Sequence, residues 1–433
     1  MHDERERFLV RYAGGFAPFT VARAEGAWVE TTDGRRILDF TSGQICSTLG
    51  HNHPRILEAI RGSLDTVVHL NSWMLTEPVL ALAERIAGLV PGLDRVMLLN
   101  TGSEANEVAL KLAKMHTGRW EVVGLTRSFH GLLSGIASVN FSMAHAGFGP
   151  LLPGSFALPA PYAYRCPVRH CDGACDCTCL ETGFDLVDQQ SVGALCAVVA
   201  EPILSAGGII VPPDGYFRRM RELCDERGML LVMDEAQTGF GRLGTMFGFE
   251  HDGARPDLVA VSKTLGGGIP LAATITTSAI EDDAVGKGFL HVTSHVSDPL
   301  PAAAGLAVLD VIEEEGLVER ARERGDYLLG RLRELQTRHE QIGDVRGRGL
   351  LVGLELVTDR DSREPANALG AAVTAECLDR GLSMNIVRAG SSANCFRMAP
   401  PLSITEEEID TAMTILDESL TAVLARDAEL AAR

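Results

Sequence analysis

The strongest candidate for covalent chemistry in this chain is a lysine at the end of an apolar segment. Lys263 follows the strand-like run at 258–261 and precedes Thr264, Leu265 and three glycines. A buried lysine must find a partner or lose its charge, and a neutral amine can form an imine with a carbonyl compound. A lone lysine at a strand end more often extends its amine to solvent, so the interpretation depends on the residues that accompany it.

Asp234 is the carboxylate best placed to act with this lysine. It ends the apolar run at 229–233 and precedes Lys263 by 29 residues, which leaves room for one connection and the next strand. Such a carboxylate is either a local cap or ion pair, or the partner of a buried cation such as the pyridinium nitrogen of pyridoxal phosphate. The spacing predicts that Asp234 and Lys263 stand at neighbouring strand ends.

Two further segments could hold the phosphate and the ring of such a cofactor. Gly102 and Ser103 lie between a strand-like run and the start of a predicted helix, where backbone N–H groups and the helix dipole favour an anion. Phe129 follows another strand-like run and offers a flat surface. Each feature alone has a simpler explanation, because Ser and Thr are ordinary helix caps and aromatic side chains usually belong to the core.

The elements predicted around these residues alternate between strands and helices from about residue 55. This alternation indicates an α/β fold with a largely parallel, doubly wound sheet, in which ligands bind at the carboxyl ends of the strands. A long helical pattern over about 301–339 leads into a smaller α+β domain, which we expect the N-terminal strands to join. The predicted domains are an N-terminal segment of the small domain (1–50), the large domain (51–305) and the C-terminal small domain (306–433).

Composition excludes some classes of function. The formal net charge of -19 leaves no basic surface for nucleic acid. No run reaches the roughly 18 apolar residues of a membrane span, and residues 1–14 lack the apolar region of a secretory signal. These observations predict a cytoplasmic protein without membrane or nucleic-acid partners, in which the ten cysteines are free thiols or metal ligands rather than disulfides.

Six segments, taken in order, resemble the class III, or omega, aminotransferases that use pyridoxal phosphate: TGSEANE, FHG, AEPI, MDEAQTGFGR, SKTLGGGIPLAA and RMAPPLSIT. The pair DEAQTGFGR and SKTLGGG is highly specific, and the resemblance covers about residues 8–425. It implies fold type I, with a large, mostly parallel sheet domain of the seven-stranded type, a smaller domain built from both chain ends, and an obligate homodimer that could pair into a tetramer.

The resemblance also implies a role for each candidate residue. Lys263 would form the imine and shuttle protons, while Asp234 would pair with the pyridine nitrogen. Arg397 would hold the substrate carboxylate through a bidentate ion pair. The other cofactor-binding residues would be Gly102 and Ser103 at the phosphate, Phe129 and His130 at the ring, Gln237 at the ring hydroxyl, and Ser294, which would reach the phosphate of the neighbouring subunit.

Within this family, the segments LDFTSGQICSTLGHNHP and TSHVSDPLPAAAGLAVLDV are most similar to the 2,2-dialkylglycine decarboxylases. This similarity implies a decarboxylating transamination, in which a 2,2-dialkylglycine and pyruvate give a ketone, carbon dioxide and alanine. A dialkylglycine has no α-proton to remove, so the bond held perpendicular to the cofactor ring breaks. Gln44 would bind the departing carboxylate, whereas Arg397 would hold a carboxylate in the ring plane.

Four residues differ from those decarboxylases and leave the substrate open. Phe129 replaces a tryptophan, Trp73 a glycine, Ile45 a methionine and Ala206 a serine. The alternative is a non-decarboxylating omega-aminotransferase that acts on an amino acid or amine with a 2-oxo acid acceptor. Two non-catalytic alternatives are a silent cofactor-binding module and an interaction module centred on a metal loop, but the intact cofactor residues argue against both.

Two metal sites are predicted. The resemblance implies an alkali cation held by oxygen ligands, which suit a hard ion; Asp298 could instead be a helix cap or turn residue before Pro299. The cysteine-rich loop at 165–181 indicates zinc or a similar ion in a structural site, although its spacing lacks two clean Cys-x2-Cys pairs. The alkali ligands would be Leu70, Ser72, Ser294, Val296 and Asp298, and the zinc ligands would come from Cys166, His170, Cys171, Cys175, Cys177 and Cys179.

Overall fold

A computed structural model describes residues 4–11, 15–141, 150–166, 168, 175–385 and 392–431. No helix within these ranges is both long and apolar enough to cross a lipid bilayer. The strands are β1 (Val21–Glu25), β2 (Trp28–Thr31), β3 (Arg36–Asp39), β4 (Arg95–Leu99), β5 (Glu121–Leu125), β6 (Ser155–Leu158), β7 (Leu195–Ala200), β8 (Leu230–Asp234), β9 (Leu258–Val261), β10 (Ala272–Thr276), β11 (Ile342–Arg348), β12 (Leu351–Leu356), β13 (Leu382–Ser383) and β14 (Cys395–Met398).

The α-helices of the same residues connect and cover these strands. They are α1 (Ser42–Ile45), α2 (Pro54–Leu64), α3 (Glu77–Leu89), α4 (Gly102–Thr117), α5 (Ser134–Ala137), α6 (Thr178–Gln190), α7 (Tyr216–Arg227), α8 (Ser278–Gly286), α9 (Pro299–Glu314), α10 (Leu317–Arg338), α11 (Asn367–Asp379) and α12 (Glu406–Ala431).

The central sheet has seven strands in the order β4-β10-β9-β8-β7-β5-β6. Neighbours from β6 to β9 pair in parallel, whereas β10 is antiparallel to both β9 and β4. In β9, Val259 and Val261 belong to one core cluster while Leu258 and Ala260 belong to another, so apolar layers cover both faces of the sheet. The predicted α/β fold with a largely parallel sheet is confirmed.

The carboxyl ends of five strands meet at one edge of this sheet. Strands β4, β5, β7, β8 and β9 run in the same direction, because β10 is antiparallel to both of its neighbours. The residues that end or follow these strands therefore approach each other, as the position of ligand sites in doubly wound sheets requires. They are Thr101 after β4, Phe129 after β5, Glu201 after β7, Asp234 at the end of β8 and Lys263 after β9.

Two smaller sheets lie outside the central one. The first, β1-β2-β3-β13, combines both chain ends, because Leu382 of β13 pairs in parallel with Leu38 of β3. The second, β11-β12-β14, places Arg397 opposite Gly353. The pairing of β13 with β3 supports a small domain that includes the N-terminal strands, while the boundaries near residues 50 and 305 stay a prediction.

A fully buried arginine joins the central sheet domain to the C-terminal part. Arg242, in the MDEAQTGFGR segment, donates from Nη1 to the carbonyl of Leu350 at 3.1 Å and to the carbonyl of Pro400. Burial lowers its pKa to about 9. The C-terminal segments that carry Arg397 are thereby fixed against the loop that follows β8.

The long helical pattern at 301–339 forms two helices rather than one. Gly316 separates α9 from α10 and has a φ of +61°, in the left-handed region that glycine adopts at little cost. The expectation of a single helix was wrong because the apolar period continues on both sides of this glycine.

Candidate active site

A cavity of about 420 Å³ lies at the carboxyl edge of the central sheet. This volume falls within the range of small-molecule sites. Seven of the eight predicted cofactor-binding residues line it: Gly102, Ser103, Phe129, His130, Asp234, Gln237 and Lys263.

Asp234 forms the centre of a buried polar network on one wall of the cavity. Its Oδ2 accepts hydrogen bonds from Asn106 Nδ2 and contacts His130 Nδ1, both at 2.8 Å, while Oδ1 accepts from the Ala236 amide at 3.0 Å. Asp234 is only 4% exposed. The carboxylate is therefore fixed in position, and its remaining lone pairs face a site that a cationic ring nitrogen would suit.

Lys263 lies on the cavity wall in a strained backbone conformation. Its φ is +46°, which is unusual for a residue other than glycine and is often found at functional positions. Burial lowers the pKa of its amine, against the opposing effect of the Asp234 carboxylate, and the nearby Arg397 lowers it further. The neutral, nucleophilic form of the amine is therefore easier to reach than in a solvent-exposed lysine.

The start of α4 forms the anion-binding end of the cavity. Thr101 is the N-cap, and its side chain accepts a hydrogen bond from the Glu104 amide at 3.2 Å. The first N–H groups of a helix have no partner within the helix, so those of Gly102 and Ser103 are placed to bind an anion. The Ser103 hydroxyl accepts from the Leu133 amide at 3.0 Å, which fixes this side chain beside the same wall.

Glu201 fixes the segment that carries Phe129. Its two carboxyl oxygens accept hydrogen bonds from the Phe129 amide at 3.0 Å and the Ser205 amide at 3.1 Å. Burial raises the pKa of Glu201 to about 7. The Ser205 hydroxyl also donates to Gln237 Oε1 at 2.8 Å, so the predicted ring-stacking and hydroxyl-binding side chains share one supporting network.

Arg397 lines a second, smaller cavity of about 140 Å³, together with Arg127, Arg165 and Ala206. Arg397 is 8% exposed, and its Nε has no hydrogen-bond partner among the described residues. Burial lowers its pKa, although a guanidinium remains protonated at neutral pH. A buried cation of this kind is suited to a carboxylate ligand.

Four residues predicted at the cofactor or the substrate line neither cavity in the single chain: Gln44, Ile45, Trp73 and Ser294. Gln44 is exposed on the turn that forms α1, and Ser294 is exposed in the loop before α9. Trp73, which we expected at the substrate pocket, is 75% exposed and absent from the lining of both cavities. Ile45 is buried, at 2% exposure.

Sequence reasoning missed two residues that hold the site together. Asn106 lies one turn into α4 and donates to Asp234 Oδ2, and Glu201 directly follows β7. The signal for Glu201 was present in the AEPI segment, as a carboxylate after a fully apolar strand. Asn106 was detectable as a polar side chain on the otherwise apolar face of α4.

Asp298, a predicted ligand of the alkali cation, contacts two imidazoles in the structure, and its role at a cation stays a prediction. Its Oδ1 lies 2.6 Å from His69 Nδ1, and its Oδ2 lies 2.5 Å from His295 Nδ1. An alkali cation prefers oxygen ligands, whereas both oxygens of this carboxylate contact imidazole nitrogens. The roles of Leu70, Ser72, Ser294 and Val296 at a cation stay predictions.

The zinc site in the cysteine-rich loop also stays a prediction. His170 and Cys171 lie outside the described residues, and no three of the described thiols have sulfur atoms within 4.8 Å of one another. Burial, together with the neighbouring Cys175, raises the pKa of Cys177 to about 11 and that of Cys179 to about 12. Without an ion, these thiols are therefore protonated at neutral pH.

Comparisons with known proteins agree with this geometry. The family model for class III aminotransferases matches residues 12–420. An uncharacterized aminotransferase of Schizosaccharomyces pombe is 45% identical over 97% of this chain and 94% of its own length. A probable 4-aminobutyrate aminotransferase of Bacillus subtilis is 34% identical over 97% of each chain.

A solved structure shows the same fold. The PLP-bound amine transaminase of an uncultivated Pseudomonas species superposes with a TM-score of 0.89 at 32% identity, covering 97% of this chain and 98% of its own. The family match extends over nearly the whole chain and includes every strand end at the cavity. The chain therefore belongs to the class III aminotransferase family.

Proposed function

We propose that this protein transfers an amino group from an amino acid or amine to a 2-oxo acid, with pyridoxal phosphate as its cofactor. The observation that carries the proposal is the placement of Lys263 and Asp234 on the wall of one cavity, with the start of α4 at the same cavity. An amine, a fixed carboxylate and an anion-binding helix start are the three groups that the aldehyde, the ring nitrogen and the phosphate of this cofactor need.

The residues present fit the cofactor. Gly102 and Ser103 would hold its phosphate, Asp234 its ring nitrogen, and Phe129 one face of its ring. His130 Nε2 is buried without a partner among the described residues, which leaves a donor or acceptor available at this wall. When bound, pyridoxal phosphate supplies an electron sink that stabilises negative charge at the carbon of the substrate that reacts.

Lys263 would move protons during the reaction. Its lowered pKa makes the neutral form of Nζ easier to reach, and in that form Nζ would accept the proton that leaves the donor's α-carbon, hold it, and release it later in the same turnover. The strained backbone at this residue, supported by the buried β9, fixes the position of Nζ.

Arg397 would bind the substrate carboxylate. Arg165 pairs with Glu355 at 2.6 Å, and Arg346 pairs with Glu355 at 2.8 Å and with Asp344 at 2.6 Å. By contrast, no described carboxylate lies within ion-pair distance of Arg397, and burial lowers its pKa against the opposing effects of Cys395 and Glu201. The site therefore favours substrates with a carboxylate, and pyruvate is the acceptor that we propose.

Decarboxylating transamination of a 2,2-dialkylglycine is the second candidate. One observation favours it: the turn around Gln44 is strained, with φ of +46° at Ser42, +67° at Gly43 and +61° at Ile45. Strain of this kind is often retained where a side chain must be aimed precisely. Ala206 argues against it, because the second cavity lacks a hydroxyl at that position.

One assay separates the two candidates. The protein is incubated with pyruvate and either 2-aminoisobutyrate or 4-aminobutyrate, and alanine and carbon dioxide are measured. Alanine from 4-aminobutyrate without carbon dioxide from 2-aminoisobutyrate supports simple transamination. Carbon dioxide released in equal amount to alanine supports the decarboxylating reaction, and no alanine from any donor contradicts both.

Exposed apolar side chains on the loops before α3 and α9 support a proposed homodimer. Trp73, Leu75, Leu290 and Val292 are 62–76% exposed in the single chain, although large apolar side chains usually avoid water. Trp73 and Leu75 lie on the loop before α3, and Leu290 and Val292 lie on the loop before α9, which also carries Ser294. A second copy that covers them would bring Ser294 to the partner's phosphate site. Light scattering on the purified protein tests this, and a monomer would contradict it.

A further inference from the structure

Two loops far apart in the chain meet at a cluster of two histidines and one aspartate. His69 precedes α3, and His295 and Asp298 precede α9. One ligand atom from each lies within 4.8 Å of the others, and among the described residues no other group of three or more His, Cys, Asp or Glu side chains meets this condition. The two imidazole rings are 4.9 Å apart between centroids.

The carboxylate of Asp298 is turned away from its expected structural task. Asp298 is the N-cap of α9 and has the extended backbone of a capping residue, yet its side chain makes no capping hydrogen bond. An aspartate at this position normally stabilises a helix by accepting a hydrogen bond from its first turn. Asp298 is 9% exposed and both of its oxygens contact the imidazoles instead, so its orientation is set by the two histidines.

We propose that His69, His295 and Asp298 bind a first-row divalent transition-metal ion, such as zinc or cobalt, rather than an alkali cation. Two imidazoles and one carboxylate are ligands that these ions prefer, whereas alkali ions prefer oxygen alone. The two histidines supply nitrogen ligands, and neither of them was among the ligands predicted from the sequence for this region.

Metal uptake requires only a small movement. Neighbouring ligand atoms of a tetrahedral zinc ion lie about 3.4 Å apart, and the nitrogen–oxygen distances here are 2.6 Å and 2.5 Å. Each of these nitrogen–oxygen distances would therefore lengthen by less than about 1 Å. The side chains of His69 and His295 are 46% and 63% exposed in the single chain, so a metal could enter before the proposed dimer covers these loops.

The bound ion would join the loop before α3 to the loop before α9. These loops carry Trp73 and Ser294, so the ion would fix the region that the proposed dimer uses to complete the neighbouring cofactor site. This consequence rests on the proposed function, whereas metal binding itself does not depend on it.

Equilibrium dialysis of the PLP-loaded, metal-stripped and tag-free protein against Co²⁺ tests the site. We expect one Co²⁺ per chain that is lost, or weakened more than about 100-fold, in the variant His69→Gln/His295→Gln. The variant Cys175→Ser/Cys177→Ser, which alters the cysteine-rich loop, and His116→Gln, which alters a histidine–aspartate pair elsewhere, should keep this equivalent.

The double variant retains Asp298 and every backbone oxygen. An oxygen-only cation site would therefore survive it, and unchanged Co²⁺ binding would overturn the proposal, as would the absence of any equivalent in the original protein at about 1 mM Co²⁺. The single variant His295→Gln changes one exposed loop residue and should weaken binding at least about tenfold. An unchanged cofactor absorbance and melting temperature verify that each variant is folded, so this test is separate from that of the transamination.

Discussion

Asp234 and Asp298 are both aspartates held by histidine, but their surroundings differ. Asp234 ends a central strand, is 4% exposed, and contacts a histidine whose side chain is fully buried. Asp298 begins a helix at the surface, and its histidines are 46% and 63% exposed. The same pair of side chain types thus occurs once in a rigid interior and once between two loops.

The difference teaches how position decides the function of a carboxylate. Asp234 has one histidine and one asparagine on a single oxygen, and it lines the main cavity. Asp298 is also buried but has one histidine on each oxygen, and both of those histidines are exposed in the single chain. The first arrangement suits a flat cationic ring in a fixed place, whereas the second suits a small ion that draws three ligands together.

The largest effect should come from removing the amine opposite Asp234. Lys263→Ala eliminates both the group that forms the imine and the group that moves protons, so kcat/KM for amino transfer should fall by more than about 1,000-fold. The visible absorbance of the lysine-bound cofactor should also disappear. The matched variant Lys287→Ala alters a surface lysine, 47% exposed, and should retain both. Activity in the Lys263→Ala variant would contradict every catalytic interpretation.

The next effect compares the two aspartates directly. Asp234→Asn keeps the shape of the side chain but removes the charge that a ring nitrogen would need, and an unpaired buried charge costs about 3–4 kcal/mol. We expect kcat/KM to fall about 100- to 1,000-fold and cofactor affinity to weaken. Asp298→Asn should lower kcat/KM by less than about tenfold, because that residue does not line the cavity. Equal losses in the two variants would show that the interior and loop positions are not functionally distinct.

The interior region was largely predictable from the sequence, because its residues follow strands. Asp234 and Lys263 come after apolar runs, and parallel strands of one sheet end at a common edge. The sequence therefore placed the chemistry without any knowledge of contacts. Asn106 was harder to find, because its contact with Asp234 depends on how α4 packs across the sheet.

The loop region was not predictable in this way. His69 and Asp298 are 229 positions apart and approach each other only through the packing of the two loops. No periodicity marks either residue, so the sequence singled out Asp298 alone and predicted oxygen ligands around it. The break between α9 and α10 was also missed. A single glycine, Gly316, ends one helix and begins the next, while the apolar pattern of the sequence continues across it.

A third carboxylate, Glu235, sharpens the comparison because it has no histidine. It follows Asp234 but faces the core, where it accepts a hydrogen bond from the Phe249 amide at 2.9 Å and another from the Thr238 hydroxyl. Burial raises its pKa to about 7 from an ordinary 4.5. Its unfolded form therefore loses a proton near pH 4.5, and its folded form near pH 7.

This difference makes stability depend on pH with a defined sign. Below about pH 4.5 the contribution of Glu235 is complete, and it is lost as pH rises to about 7. Relative to the original protein, the variant Glu235→Gln should therefore become more stable between pH 4.5 and pH 8, by up to about 3 kcal/mol. Urea unfolding at both pH values measures this change, with the exposed-site variant Glu334→Gln as control. A stability difference independent of pH would contradict it.

The smallest effect concerns Arg397. Each of the two aspartates contacts histidine, whereas this buried cation has no close carboxylate among the described residues. If this guanidinium awaits a substrate carboxylate, Arg397→Gln should raise KM for 4-aminobutyrate and pyruvate about tenfold to thirtyfold, since a charge-assisted contact contributes about 1.5–2 kcal/mol. KM for 1-phenylethylamine, which has no carboxylate, should change less than about threefold. Arg397→Lys should restore part of the loss, and the surface variant Arg348→Gln should change neither constant. A similar rise in KM for both kinds of donor would mean that Arg397 supports the fold of the cavity rather than recognising the carboxylate.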